Sequence, residues 1–139
     1  MKNKKTLIIV ALLIIAAIIV ISGWYVFRPS ETSVEKKQAD FSVEATGLVN
    51  EFNNDEQAAN TKYLGNVIEV SGRLDDIVTE EETVSLTLKT PGEISGVICS
   101  FDKAALPEKL PEVGENVKIK GICSGYLLDV VLNKCSIEK

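Results

Sequence analysis

Residues 66–78, NVIEVSGRLDDIV, decide the fold. Val67, Glu69, Ser71 and Arg73 alternate with Ile68, Val70, Gly72 and Leu74. One face is therefore apolar and the other polar, a period of two that suits a half-buried strand. Outward from this stretch the pattern recurs. TVSLTLK (83–89) places Val84, Leu86 and Leu88 on one side, after an acidic turn at Glu80, Glu81 and Glu82. GVICSF (96–101) turns Val97, Cys99 and Phe101 one way. DKAALPEKL (102–110) reads as a short helical connector that Pro107 disturbs. GENVKIKGICSGYL (114–127) and DVVLNKCSI (129–137) supply two more strands, with Gly114 and Gly125 as breakers.

Upstream, the period changes. Phe41, Ala45, Leu48, Val49 and Phe52 recur at helical spacing, which predicts a helix through VEATGLVNEF capped by Asp40 or Ser42. A second helix, EQAANTKYL, starts after Asp55 as N-cap and stops at Gly65 as C′ residue.

Five short strands with a helical connector between the third and fourth are the layout of an OB-fold, a partly open Greek-key barrel. The expected class is thus mainly β with flanking helices. Gly72 and Gly121 fall inside strands, where glycine marks a bulge or a tight bend. An immunoglobulin-like sandwich needs about seven strands, and there is no room for them.

Before the folded region lies TLIIVALLIIAAIIVISGWYVF (6–27), which carries no charge. At 1.5 Å per residue it spans roughly 33 Å as a helix, enough to cross a bilayer. Lys2, Lys4 and Lys5 precede it, Trp24, Tyr25 and Phe27 form an interfacial belt, and Arg28 follows. Ser22-Gly23 is the one small pair near its end, a poor cleavage signal, so the uncleaved signal anchor is the stronger reading. The short basic amino terminus favours an inside position and an exported carboxy-terminal domain. No cysteine ends the apolar run to accept a lipid. The expected organisation is an anchor over 1–28, a flexible linker over 29–40 and an OB-fold domain over 41–139, in the cytoplasmic membrane with the domain outside.

Beyond the anchor, eleven basic side chains face twenty acidic ones, a net charge of −9. That disfavours nucleic acid as a partner, since such affinity rests largely on Lys and Arg neutralising phosphates. Arg73 is the sole arginine after Arg28, and the chain has no histidine, the commonest general base and metal ligand.

The stretches NEFNNDEQAANTKYLGNVIEVSG, GVICSF and VKIKGICSGYLLDVVLNKCSI, which cover most of residues 41–137, resemble the tRNA-anti-like group of small bacterial OB-fold proteins. The resemblance implies the fold and an envelope setting, and it brings no activity with it.

Cys99, Cys123 and Cys135 have the most distinctive chemistry. Cys123 and Cys135 sit late in the last two strands with eleven residues between them. Antiparallel pairing in an oxidising compartment would favour a Cys123–Cys135 disulfide, worth on the order of 3 kcal/mol. Cys99 reads as a core thiol between Val97 and Phe101. A three-cysteine zinc site lacks a fourth ligand and a C-x-x-C pair. Asp75, Asp76 and Glu80–Glu82 read as a solvated turn, because calcium-loop spacing is absent. Tyr63, Tyr126 and Asp129 are the weak candidates for ligand binding. Tyr63, Tyr126 and Phe101 could stack bases, although no basic residues surround them, and packing is the plainer role. Asp129 either bonds the turn at Gly125 or lines a groove. No nucleophile–base pair, phosphate loop or metal motif is present. The expected function is a non-enzymatic, membrane-anchored binding module, without cofactor, for an envelope protein or a small ligand. The alternative is a single-stranded nucleic-acid-binding domain facing the cytoplasm.

Overall fold

The strand β2 (Val67–Thr79) organises the folded domain, as its alternation predicts: Ile68, Val70 and Leu74 are fully buried. In this computed structural model, residues 2–26, 34–89 and 91–139 are described, with side chains in the first span described only for residues 8–21. The chain divides into two compact units, Met1–Glu31 and Thr32–Lys139.

In the second unit β2 pairs antiparallel with β3 (Thr83–Leu88) through its second half and with β5 (Asn116–Tyr126) through its first half. β3 pairs antiparallel with β4 (Val97–Asp102), and β5 with β6 (Val130–Glu138). A parallel pairing of β4 with β6 over Val97↔Val130, Ile98↔Val131 and Cys99↔Leu132 closes a five-stranded, OB-like barrel. Val84, Leu86, Leu88, Val97, Cys99, Phe101, Ile119 and Leu132 fill it, all at most 2% exposed.

Two glycines allow close approach inside strands. A Cβ at Gly121 would lie 2.5 Å from Cys135 Sγ, and one at Gly72 would lie 2.9 Å from Ala45 Cβ. Either contact is shorter than packed atoms tolerate. Gly121 lies at a register shift between Lys120 and Ile122, opposite the left-handed Lys134 (φ 52°). Gly125 is not a breaker: β5 runs through it at a second register shift, and the chain turns at Leu127–Asp129.

The entry to the domain differs from the sequence expectation. Residues 41–44 form a strand, β1 (Phe41–Glu44), parallel to β2, and the helix α2 (Ala45–Asn54) starts only afterwards. Neither Asp40 nor Ser42 caps it: the Asp40 carboxylate accepts from Val67 N at 2.9 Å, and Ser42 Oγ donates to Glu69. Main-chain bonding to β2 outweighs one early turn of helix. The helix α3 (Glu56–Tyr63) begins as expected, with the Asp55 side chain accepting from Ala58 N at 3.0 Å, and Gly65 follows its end at φ 78°. Leu48, Val49, Phe52, Ala59 and Tyr63 pack into the barrel core. The connector after β4 is one short 3₁₀ turn, Lys103–Ala105, ahead of Pro107.

Residues 34–40, read from sequence as part of a flexible linker, belong to the folded unit. Val34 is 2% exposed in a 3₁₀ turn beside β5 and β6, and Lys120 Nζ donates to Glu35 O at 3.2 Å. The remainder of that linker, 29–33, lies outside the described residues, as do Phe27, Arg28 and the side chains of Lys2, Lys4, Lys5, Ser22, Trp24 and Tyr25.

In the first unit, α1 (Lys2–Val26) has 25 residues, and its side chains from 8 to 21 are exposed on every side. Among the described residues no helix is long and apolar enough to cross a membrane. α1 is roughly 38 Å long.

Candidate functional site

The residues singled out in the sequence go mainly to structural work. Tyr63 is fully buried, stacks on Phe52 and meets Phe41 edge-on. Its hydroxyl donates to Glu51 at 3.0 Å, and Lys62 Nζ bonds the same carboxylate at 2.9 Å. The Lys62 hydrogen bond lowers the Glu51 pKa, and burial raises that of Tyr63. Tyr126 stacks on Phe52 at 5.4 Å, and its hydroxyl bonds Asn53. Phe101 is core. Asp129 ties two loops together, its Oδ1 accepting from Gly96 N at 2.7 Å. Tyr63 and Phe101 are buried and offer no face to a base, and the half-buried Tyr126 has one face against Phe52.

The three cysteines are free and buried. The register sets Cys123 opposite Leu132, and the irregularity near Lys134 carries Cys135 along to Gly121. Cys135 Sγ donates to Leu132 O at 3.4 Å, and its thiol neighbours that of Cys99. The pair the strands bring together is thus Cys99 and Cys135, rather than Cys123 and Cys135. Burial first, and then the neighbouring Cys135 thiol, push the Cys99 pKa well up; burial also raises Cys123, against a Gly125 backbone hydrogen bond that lowers it. Thiols held protonated in this way are poor nucleophiles. Among the described residues no cluster of three or more Cys, Asp or Glu could hold a metal ion.

In OB-folds the face of the second and third barrel strands commonly carries ligands. Here those strands are β3 and β4, and their outward residues include Ser85, Thr87, Ile98 and Ser100, with Ser85 and Ser100 hydroxyls 3.4 Å apart. These four side chains include neither a cation for phosphates nor a ring for bases.

A different surface is better equipped. A groove of about 820 Å³ runs past the β1–α2 junction, the middle of β2, the segment after β3, the start of β5 and the end of β6. Arg73, Lys89, Lys118 and Lys139 line it, against Glu44 and Glu138. Glu138 is held by Lys120 at 2.9 Å, and Lys118 is 3.6 Å from Glu69. Arg73 has no ion pair among the described residues, and its guanidinium lies under Gly114. The groove therefore concentrates cations in a domain of net charge −9 and presents no aromatic side chain. A planar guanidinium with lysines beside it suits a carboxylate or phosphate group. Sequence reading missed it because the four cations come from four separate segments and share no spacing.

The profile of the family described as tRNA_anti-like matches residues 1–137. Among solved structures, a Klebsiella pneumoniae lipoprotein suggested to bind nucleic acid aligns with TM-score 0.57 and 16% identity, over 81% of this chain and all of that one. The S. pombe Stn1–Ten1 complex aligns at 16% identity and TM-score 0.42, over 73% of this chain and 78% of that chain. None of the curated proteins matches.

Proposed function

Because this chain belongs to the tRNA_anti-like family, a group whose barrel can serve many tasks, we propose that it is a non-enzymatic binding module held at a membrane by α1, with its barrel on the outer side, and that its groove takes an anionic ligand. The observation that carries the ligand class is the groove itself, with Arg73 free of ion pairs among the described residues and Lys89, Lys118 and Lys139 around it. Its lining lacks a ring on which a base could stack, so the fitting ligand is a phosphate ester or carboxylate of non-aromatic character. Anchoring is supported by the uncharged run 6–27 and by the all-round apolar exposure of residues 8–21.

Titrating the full chain in neutral detergent with glycerol phosphate is expected to give saturable binding that Arg73→Gln abolishes. An Arg73→Gln variant that binds equally well sinks the groove as the site. Protease added to intact spheroplasts is expected to cut the barrel from its anchor; cleavage confined to lysed cells would reverse the topology.

The second reading is single-stranded nucleic acid, the role suggested for the Klebsiella lipoprotein, and the same four cations favour it. An oligothymidylate probe binding far more tightly than glycerol phosphate, with steep salt dependence, would make it the better one.

A further inference from the structure

We propose that one end of the barrel, formed by Leu64, Ile94, Leu127 and Leu128, is a membrane-contact tip that rests in the interfacial layer of the bilayer, an inference that depends on the anchored reading above. These four side chains are 52%, 90%, 89% and 73% exposed. They come from the end of α3, the β3–β4 loop and the β5–β6 hairpin, which the strand register gathers at one end, with Leu88↔Val97, Val97↔Val130 and Val67↔Ile122. Val78, another large apolar side chain exposed among the described residues of 32–139, lies toward the opposite end, near the β2–β3 turn.

The loops that carry the tip are fastened to one another. Gly96 N donates to Asp129 Oδ1 at 2.7 Å and Val130 N to Gly96 O at 3.0 Å, which joins the loop of Ile94 to the hairpin of Leu127 and Leu128. Gly65 N donates to Cys123 O at 2.8 Å, which holds the end of α3 beside β5. Leu127 N donates to Asp129 O at 3.3 Å, so this backbone group of the hairpin tip is satisfied within the chain, as entry into a poorly solvating layer requires. Asp129, a ligand candidate in the sequence, is on this reading the clamp that aims the tip.

Area and connectivity select the occupant. At roughly 60–120 Å² of apolar area per side chain, four partly exposed side chains offer about 200–400 Å². A stable partner or second copy needs about 800 Å² on each side. A bilayer has no such threshold, since the contact only adds to an anchor already in place. The tip is aliphatic, with Glu93 beside Ile94 and no cation among its four members, so its contact does not depend on anionic lipid.

The test uses the full chain in phosphatidylcholine nanodiscs, with Trp24→Phe to remove the one native tryptophan and a single reporter, Leu128→Trp or Val78→Trp. The Leu128→Trp reporter is expected to emit blue-shifted light and to be quenched by lipids brominated on the acyl chain, equally with phosphatidylglycerol present. The Val78→Trp reporter is expected to do neither. A disc-bound chain whose Leu128→Trp reporter stays water-like and unquenched overturns the tip and leaves the anchor standing. A chain that fails to remain with the discs overturns the anchor, and the tip with it. Equal quenching of both reporters, or dimerisation abolished by Leu127→Ser with Leu128→Ser, overturns the tip in favour of general adsorption or a second copy.

Discussion

Isoleucine is more than half exposed throughout the described part of α1, with Ile14 at 54% and Ile18 at 59%, whereas Ile68 in β2 is fully buried. The two segments draw on the same apolar residue types and differ in what alternates with them. In β2 Glu69, Ser71, Arg73 and Asp75 occupy every second position, which gives the strand a wet side and lets the other side join a core. Residues 8–21 of α1 have no polar position to turn toward water, so no orientation hides their apolar surface. Periodicity, rather than apolar content, decides which solvent a segment is built for.

Substitutions can break this comparison in order of effect. Leu86→Ala opens a cavity in the fully packed barrel and is expected to cost about 2–5 kcal/mol in denaturant unfolding of the full chain in detergent. A cost under 1 kcal/mol would mean that the barrel interior is far looser than its complete burial implies. Gly121→Ala places a methyl group against Cys135 Sγ and is expected to cost about 1–3 kcal/mol, much of it recovered in the double variant with Cys135→Ala. Simple additivity of the two would refute the contact. Ile14→Ala, a comparable truncation in α1, is expected to leave the barrel's unfolding midpoint unchanged, since no barrel packing is lost.

The barrel strands could be read from sequence because each carries enough alternating residues to fix a face: Val84, Leu86 and Leu88, or Val97, Cys99 and Phe101. β1 could not be so read. Its four residues, FSVE, are too few for a period to emerge, and Phe41 happens to stand at helical spacing from Ala45 and Leu48. The thiol pairing escaped for a different reason. Residue counting assumes an uninterrupted ladder, whereas the left-handed Lys134 displaces everything beyond it along β6. The groove depended on five segments meeting, which no local pattern encodes. The roles of Tyr63 and Tyr126 turn on Glu51 and Asn53, polar partners supplied by α2 and invisible until the helix is in place.

The seam between β4 and β6 has a consequence for how the molecule comes into being. Its three residue pairs join positions 97–99 to 130–132, at the start of β6. A chain emerging amino-end first can form the β2–β3–β4 meander early, from neighbours in sequence, but it cannot shut the barrel until β6 is free. Such distant closures pay the loop entropy before any contact rewards it. Until that moment β4 presents an unpaired edge with Val97, Cys99 and Phe101 along it, so the interval between appearance of the strand and arrival of its partner is the time in which this chain is most open to pairing with another.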